Sequence, residues 1–362
     1  MNTTITALRP LRVIVLTGRF GMGHCAAAEA VRQEILAGDP QAQVRVVDVI
    51  DELFPNASRQ IYRGFGFLVR RCSWVYNLLN RTAGAKTSMP LQRTVLKRLD
   101  DLLRDVDLIV ATMPVCSQYI AAYKRQRDCH IPLYTYITDV SVHDEWIAPG
   151  TDRYFVACEE TRQTLLSKGV EDAHIVVSGI PVRQGFRQAA QVRPVGRRVL
   201  LMGGGLGLIP QGILDALCSR DDIHVTVITG RNESLLATLR RRYPSVESIG
   251  FTDQVDKYLR RADLVVSKSG GLTTFEAIHT RTPLFVLRPF LTQEVGNARY
   301  IEDHGLGYVD WQKEESVTAE ALLALLDDPD ALAAMGRNMA RLRESWRSSS
   351  PLAYFYPMVQ PA

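Results

Sequence analysis

The segment Ser267-Lys268-Ser269-Gly270-Gly271-Leu272-Thr273-Thr274-Phe275-Glu276-Ala277 follows the apolar run Leu264-Val265-Val266 and reads as a strand passing through a glycine turn into a helix. Small residues at such a turn let backbone N–H groups reach an anion at the helix N-terminus, so a phosphate site is one reading. A tight turn made by Gly270-Gly271 for its own sake is the other. Glu276, one turn into the helix, faces the same crevice and could accept two hydroxyl hydrogen bonds from a ribose. An ordinary solvated helix glutamate would look the same in sequence.

One βα unit later, Arg288-Pro289-Phe290-Leu291-Thr292-Gln293-Glu294-Val295-Gly296-Asn297 sets an amide beside a carboxylate. Side chains that both donate and accept suit the hydroxyls of a hexose, although a polar residue capping the next helix accounts for them too. Upstream, Met202-Gly203-Gly204-Gly205-Leu206-Gly207 uncovers backbone after another strand. It is not a G-x-G-x-x-G fingerprint, lacks the acidic residue that would follow, and no G-x-x-x-x-G-K-[ST] occurs, which argues against nicotinamide and P-loop chemistry. Gly250-Phe251-Thr252 is either a turn or a platform on which a base stacks.

The first half carries a matching strand, glycine turn and Ala-rich helix in Thr17-Gly18-Arg19-Phe20-Gly21-Met22-Gly23-His24-Cys25-Ala26-Ala27-Ala28-Glu29-Ala30. His24 stands at the positive end of the helix dipole, which lowers an imidazole pKa and keeps it neutral, ready to take a proton from an attacking hydroxyl. Packing or capping is the plainer role of a lone histidine. Thr138-Asp139-Val140-Ser141-Val142-His143-Asp144-Glu145-Trp146 gathers ionisable groups after a strand end, where ligand crevices of α/β folds open. His143 with Asp139 or Asp144 fits no common metal-ligand spacing, and no metal is expected. His24 and Asp139 are the catalytic candidates.

Arg59–Arg98 contains Arg63, Arg70, Arg71, Arg81, Lys86, Arg93 and Lys97 without an acidic residue, interleaved with Phe65, Phe67, Trp74 and Tyr76. Cations beside aromatics suit an anionic lipid surface with shallow apolar insertion. Two helices packed on a sheet, with solvated arginines, are the alternative. A nucleic-acid footprint is not expected, because a net charge of +4 is small and the basic run is isolated.

These loops need strands and helices to hold them. Short apolar runs alternate with helical periods, the pattern of βα units around parallel sheets. Strands are expected at Arg12–Thr17, Gln43–Asp48, Leu108–Thr112, Leu133–Thr138 and Tyr154–Val156. A second series is expected at Arg198–Met202, His224–Thr229, Leu264–Ser267 and Leu284–Leu287. With 362 residues the chain exceeds one ordinary core, and the Arg-, Gln- and Pro-rich stretch Gln184–Arg197 is the expected linker. The domains are therefore set at residues 1–185 and 198–347, with the aromatic tail 348–362 packing back on the first. An apolar share of 46% is that of a globular protein. The six cysteines Cys25, Cys72, Cys116, Cys129, Cys158 and Cys218 form no C-x-x-C pair, consistent with reduced thiols. Neither a leader peptide nor an apolar run long enough to span a bilayer is expected.

Taken in order, the motifs resemble the monogalactosyldiacylglycerol synthase and processive diacylglycerol glucosyltransferase family, itself similar to the peptidoglycan N-acetylglucosaminyltransferase. The resemblance covers most of the chain. It rests on Gly21-Met22-Gly23-His24 with Ala27-Ala28-Glu29-Ala30, Thr138-Asp139 with His143 and Trp146, and Gly179-Ile180-Pro181-Val182. Met202-Gly203-Gly204-Gly205, Ser267–Thr273 with Glu276-Ala277, and Gln293-Glu294 with Gly296-Asn297 complete it. Arg19, Cys25, Val140, Asp144 and Val295 depart from the residues usual at those points, mostly on the acceptor side.

The resemblance implies a GT-B fold, two Rossmann-like α/β domains facing across a cleft, and metal-independent inverting transfer without a cofactor beyond the UDP-sugar donor. It implies donor contacts from Gly203, Gly204, Gly205, Phe251, Ser269, Gly270, Gly271, Leu272, Thr273, Glu276, Gln293, Glu294 and Asn297. His24 falls at the position of the base. Gly23, His143, Trp146, Arg70, Arg71 and Trp74 are expected on the acceptor or membrane side, with diacylglycerol as the lipid partner at the cytoplasmic face of the cell membrane.

Overall fold

The computed structural model describes residues 9–20, 22–71, 92–188, 197–203, 209–289, 291–312 and 314–359. Twelve strands among these residues form two six-stranded parallel sheets. The first contains β1 Arg12–Thr17, β2 Gln43–Asp48, β3 Leu108–Ala111, β4 Leu133–Tyr136, β5 Arg153–Val156 and β6 Ile175–Val177, in the order β2-β1-β3-β4-β5-β6. The second contains β7 Arg197–Met202, β8 Ile223–Ile228, β9 Glu247–Ile249, β10 Leu264–Ser267, β11 Leu284–Val286 and β12 Gly307–Val309, in the order β12-β11-β10-β7-β8-β9. Counted from β7, this is the 3-2-1-4-5-6 order of a doubly wound nucleotide-binding sheet.

Continuous apolar runs such as Val13-Ile14-Val15-Leu16 form central strands because helices cover both faces and leave no side for polar residues. On one face of the first sheet, Val95, Leu99 and Leu102 of the helix Arg93–Leu102 pack with Ile109, Ile120 and Leu133. This part of the basic run therefore behaves as a packed helix. The helix Ser58–Arg71 carries the backbone of Arg70 and Arg71, while Trp74, Arg81 and Lys86 lie outside the described residues.

Ala28, Val31 and Ile35 of the helix Met22–Gly38 cover the other face together with Leu352 and Phe355 from the last helix, Leu352–Val359. That helix follows the Ser348–Pro351 break, and Ser349 O accepts from Tyr136 Oη at 2.7 Å, anchoring the returning chain to the first sheet. Burying a Leu or Phe of this kind contributes about 1.5–3 kcal/mol. One core cluster crosses between the halves: Val140, Ile180, Val182 and Phe186 pack with Phe275, Ile278, Ile301 and Met339.

Strands β6, β9 and β12 are three residues each and were not expected from sequence. They are too short to show a period, and β9 and β12 lie at sheet edges where side chains remain partly exposed.

Candidate active site

In each sheet the direction of winding reverses once, between β1 and β3 in the first and between β7 and β10 in the second. Ligand crevices of open α/β sheets lie beyond the strand ends at such points. His24 follows β1 there, and Gly270 follows β10.

His24 begins the helix Met22–Gly38. Its Nδ1 lies 2.9 Å from Thr112 O and 3.0 Å from Thr138 Oγ1. A carbonyl can only accept, so Nδ1 carries the proton and Nε2 keeps the lone pair. Burial, with a smaller contribution from His143, lowers the pKa to about 4 against the opposing Thr112 hydrogen bond. The imidazole is therefore neutral near pH 7. Neither Thr112 nor Thr138 stood out in sequence as its partner, because they arrive from β3 and β4, 88 and 114 residues away.

The helix Gly271–Thr280 begins at Gly270, which has no side chain to accept the first free N–H groups. A Cβ added at Gly270 meets nothing closer than Thr273 Oγ1 at 3.7 Å, so the fold leaves that space open. Gly271 differs. A Cβ there would lie 2.3 Å from Thr138 O and 3.1 Å from Asp139 Oδ1, so its glycine serves the approach of the two halves. A Cβ on Gly23 would lie 3.8 Å from Leu272 Cβ, which brings the starts of the two helices together. Gly296 has a similar need, with Ser141 Cβ 2.9 Å from an added Cβ.

Several residues expected to touch a ligand are instead spent on the protein. Asn297 is buried; its Oδ1 accepts from Val140 N at 3.0 Å and its Nδ2 donates to Ser269 O at 2.9 Å, with Asp139 Oδ1 3.4 Å away. It ties the two halves together, and no free polar edge faces a sugar. Ser269 is also buried, and its hydroxyl donates to Glu294 O at 2.7 Å. Glu294 pairs with Lys268 Nζ at 2.9 Å, and its other oxygen accepts from Leu291 N at 3.4 Å, closing its own helix turn. Gln293 and Thr273 remain half-buried. Gly203 is buried at the end of β7; Gly204 and Gly205 lie outside the described residues.

Two carboxyls are pushed upward by burial. Glu276 rises to about 8, with the Arg183 charge opposing and Asp256 adding. Asp139 rises to about 6 against the Asn297 hydrogen bond and the Lys268 charge. Phe251 is 62% exposed beyond β9, with the Arg231 guanidinium 5.3 Å from its ring centre. That exposed ring can stack on a base.

Trp146 is buried in a short 3-10 turn, Asp144–Trp146, its ring 6.3 Å from that of His24 and 6.2 Å from that of His143. His143 is half-buried and held below its usual pKa by desolvation. No group of three or more metal-ligating side chains occurs among the described residues. Sequence reading also missed a network at the glycine turn: Arg19 pairs with Asp48 at 3.0 Å and with Asp51, and Tyr62 Oη donates to Asp48 at 2.6 Å. A cavity of about 470 Å³ lies elsewhere along the junction of the halves, lined by Cys158, Glu160, Tyr300, His304 and Trp346.

The monogalactosyldiacylglycerol synthase family model matches residues 24–182, and the glycosyltransferase family 28 C-terminal domain model matches residues 208–346. The processive diacylglycerol beta-glucosyltransferase of Bacillus subtilis is 27% identical, over 91% of this chain and 91% of its own. Among solved structures, MurG of Acinetobacter baumannii shares the fold with a TM-score of 0.57 at 15% identity, covering 96% of this chain and 98% of its own. The spinosyn rhamnosyltransferase SpnG with thymidine diphosphate reaches a TM-score of 0.66 at 14% identity, covering 97% and 100%. With its two Rossmann-like sheets the chain is a UDP-sugar-dependent glycosyltransferase of the GT-B fold, similar over most of its length to the monogalactosyldiacylglycerol synthase and processive diacylglycerol glucosyltransferase family.

Proposed function

We propose that the chain moves a hexose, with inversion and without a metal, from a UDP-sugar to the hydroxyl of diacylglycerol at the cytoplasmic membrane face. One observation carries this reading: the oriented, unprotonated Nε2 of His24 and the uncapped helix start at Gly270 belong to two helices whose first turns meet at Gly23 and Leu272. A proton acceptor and an anion site are thus held across one cleft.

In this reading residues 198–347 bind the donor and residues 1–185 meet the acceptor. The diphosphate lies along Gly270 and the N–H groups of Gly271, Leu272 and Thr273, where the helix dipole favours negative charge. Glu276 accepts the ribose hydroxyls, Phe251 supports the base, and Gln293 faces the hexose, with Glu294 buried behind Lys268. The acceptor oxygen attacks the anomeric carbon, its proton passes to His24 Nε2, and the electron pair of the breaking C–O bond leaves with UDP. A pKa of about 4 makes His24 by itself a weak base. The negative diphosphate raises it when the donor is bound. Asp139, held by the Asn297 clamp, fixes the turn that carries Thr138. The basic helix Ser58–Arg71, with Arg70 and Arg71, and the following Trp74 serve the anionic bilayer surface.

Replacing His24 by Ala tests the assignment. UDP affinity, followed by calorimetry, is expected to stay within a factor of about two, while turnover with diacylglycerol vesicles falls about 10²–10⁴-fold. Turnover at the parent rate would contradict it.

A further inference from the structure

Lys268 stands two residues before Gly270, in the loop between β10 and the helix Gly271–Thr280. Its ammonium lies 2.9 Å from Glu294 Oε1, yet the partners differ sharply in accessibility: the Lys268 side chain is 42% exposed and that of Glu294 3%. The carboxylate is fixed inside the protein, while the cation reaches solvent. The same ammonium also acts on Asp139 from the opposite half.

A departing diphosphate accumulates negative charge, and a helix N-terminus supplies only about half an elementary charge. We propose that Lys268 is an exchangeable cation of the donor site, neutralising Glu294 before a donor arrives and turning to the diphosphate when a UDP-sugar binds. This rests on the donor reading of the glycine loop and extends it. The exchange couples two events. Diphosphate binding takes the ammonium off Glu294 Oε1, which then accepts from a sugar hydroxyl in its place, so the hexose is held firmly only when it arrives on a diphosphate. During transfer, the bond between the anomeric carbon and the diphosphate oxygen breaks and its electron pair stays on that oxygen. The acceptor oxygen takes the carbon, and the acceptor proton goes to His24. Lys268 remains protonated throughout and contributes charge alone.

The test compares calorimetric affinities for uridine and UDP in the full-length parent, Lys268→Gln, Lys268→Arg and Glu294→Gln. In Lys268→Gln, UDP affinity is expected to fall about 10–100-fold, the worth of one charge-assisted hydrogen bond, with uridine affinity unchanged. Lys268→Arg retains most of the UDP affinity. Glu294→Gln binds UDP several-fold more tightly, because it removes the anion competing for the ammonium, and that sign is one a merely structural tether does not produce. An unchanged ratio of UDP to uridine affinity in Lys268→Gln overturns the proposal while leaving the donor reading intact. A parent protein that binds UDP no better than uridine overturns both.

Discussion

At His24 the surroundings, more than the residue type, decide what the ring can do. The Thr112 carbonyl fixes the proton on Nδ1, and burial keeps the ring neutral. The residue itself was legible in sequence because a strand, a glycine turn and an Ala-rich helix surround it; its orienting partners were not, since they arrive from other strands. Asn297 and Ser269 show the converse. Their chemistry marks them as ligand contacts, yet every polar atom of the Asn297 amide is turned to a protein partner. Glu276 gives a prediction at this scale. Its folded pKa of about 8 lies above the ordinary 4.5, so the folded chain holds this proton more tightly than the unfolded one. Its contribution to stability is complete below about pH 4.5 and is lost as pH rises through about 8, a slope that Glu276→Gln removes from thermal unfolding measured across pH. Ribose hydroxyls donating to the carboxylate act in the opposite sense. UDP affinity is therefore expected to strengthen as pH rises toward 8 with release of a proton, and a parent profile identical to that of Glu276→Gln would refute the ribose assignment.

At the scale of elements, the two neighbouring glycines of the β10 loop have separate tasks. Gly271→Ala forces a Cβ to within 2.3 Å of the Thr138 carbonyl, a backbone atom that cannot swing aside. A loss of about 1–3 kcal/mol of stability is expected, read from denaturant unfolding. Gly270→Ala meets only ordinary contact at 3.7 Å. It should unfold like the parent and bind UDP about tenfold more weakly, because the methyl takes up space along which the diphosphate would lie. Equal effects of the two substitutions on UDP affinity would contradict this division. The strand and helix carrying the loop were readable, because Leu264-Val265-Val266 is a buried run and Gly270 a natural helix start. The division of labour was not, because it depends on Thr138 approaching from the other half.

Across the whole molecule, the two parallel sheets followed from alternating βα units, while their strand order and the way the halves meet did not. Val140 and Asn297 are 157 residues apart in sequence and share a hydrogen bond. Gly296 gives way to Ser141, and one apolar cluster runs through both halves. Contacts of this kind leave no local period in a sequence. They are also what would hold an acceptor-side histidine over a donor-side helix terminus, so the central claim is one about the assembled cleft. Its most direct test is to incubate the purified chain with UDP-hexoses and diacylglycerol vesicles and to identify the lipid product by mass and by the configuration at the anomeric carbon. A hexosyl-diacylglycerol with inverted configuration is expected from at least one donor. UDP binding without any glycolipid, or a product that retains configuration, would contradict it.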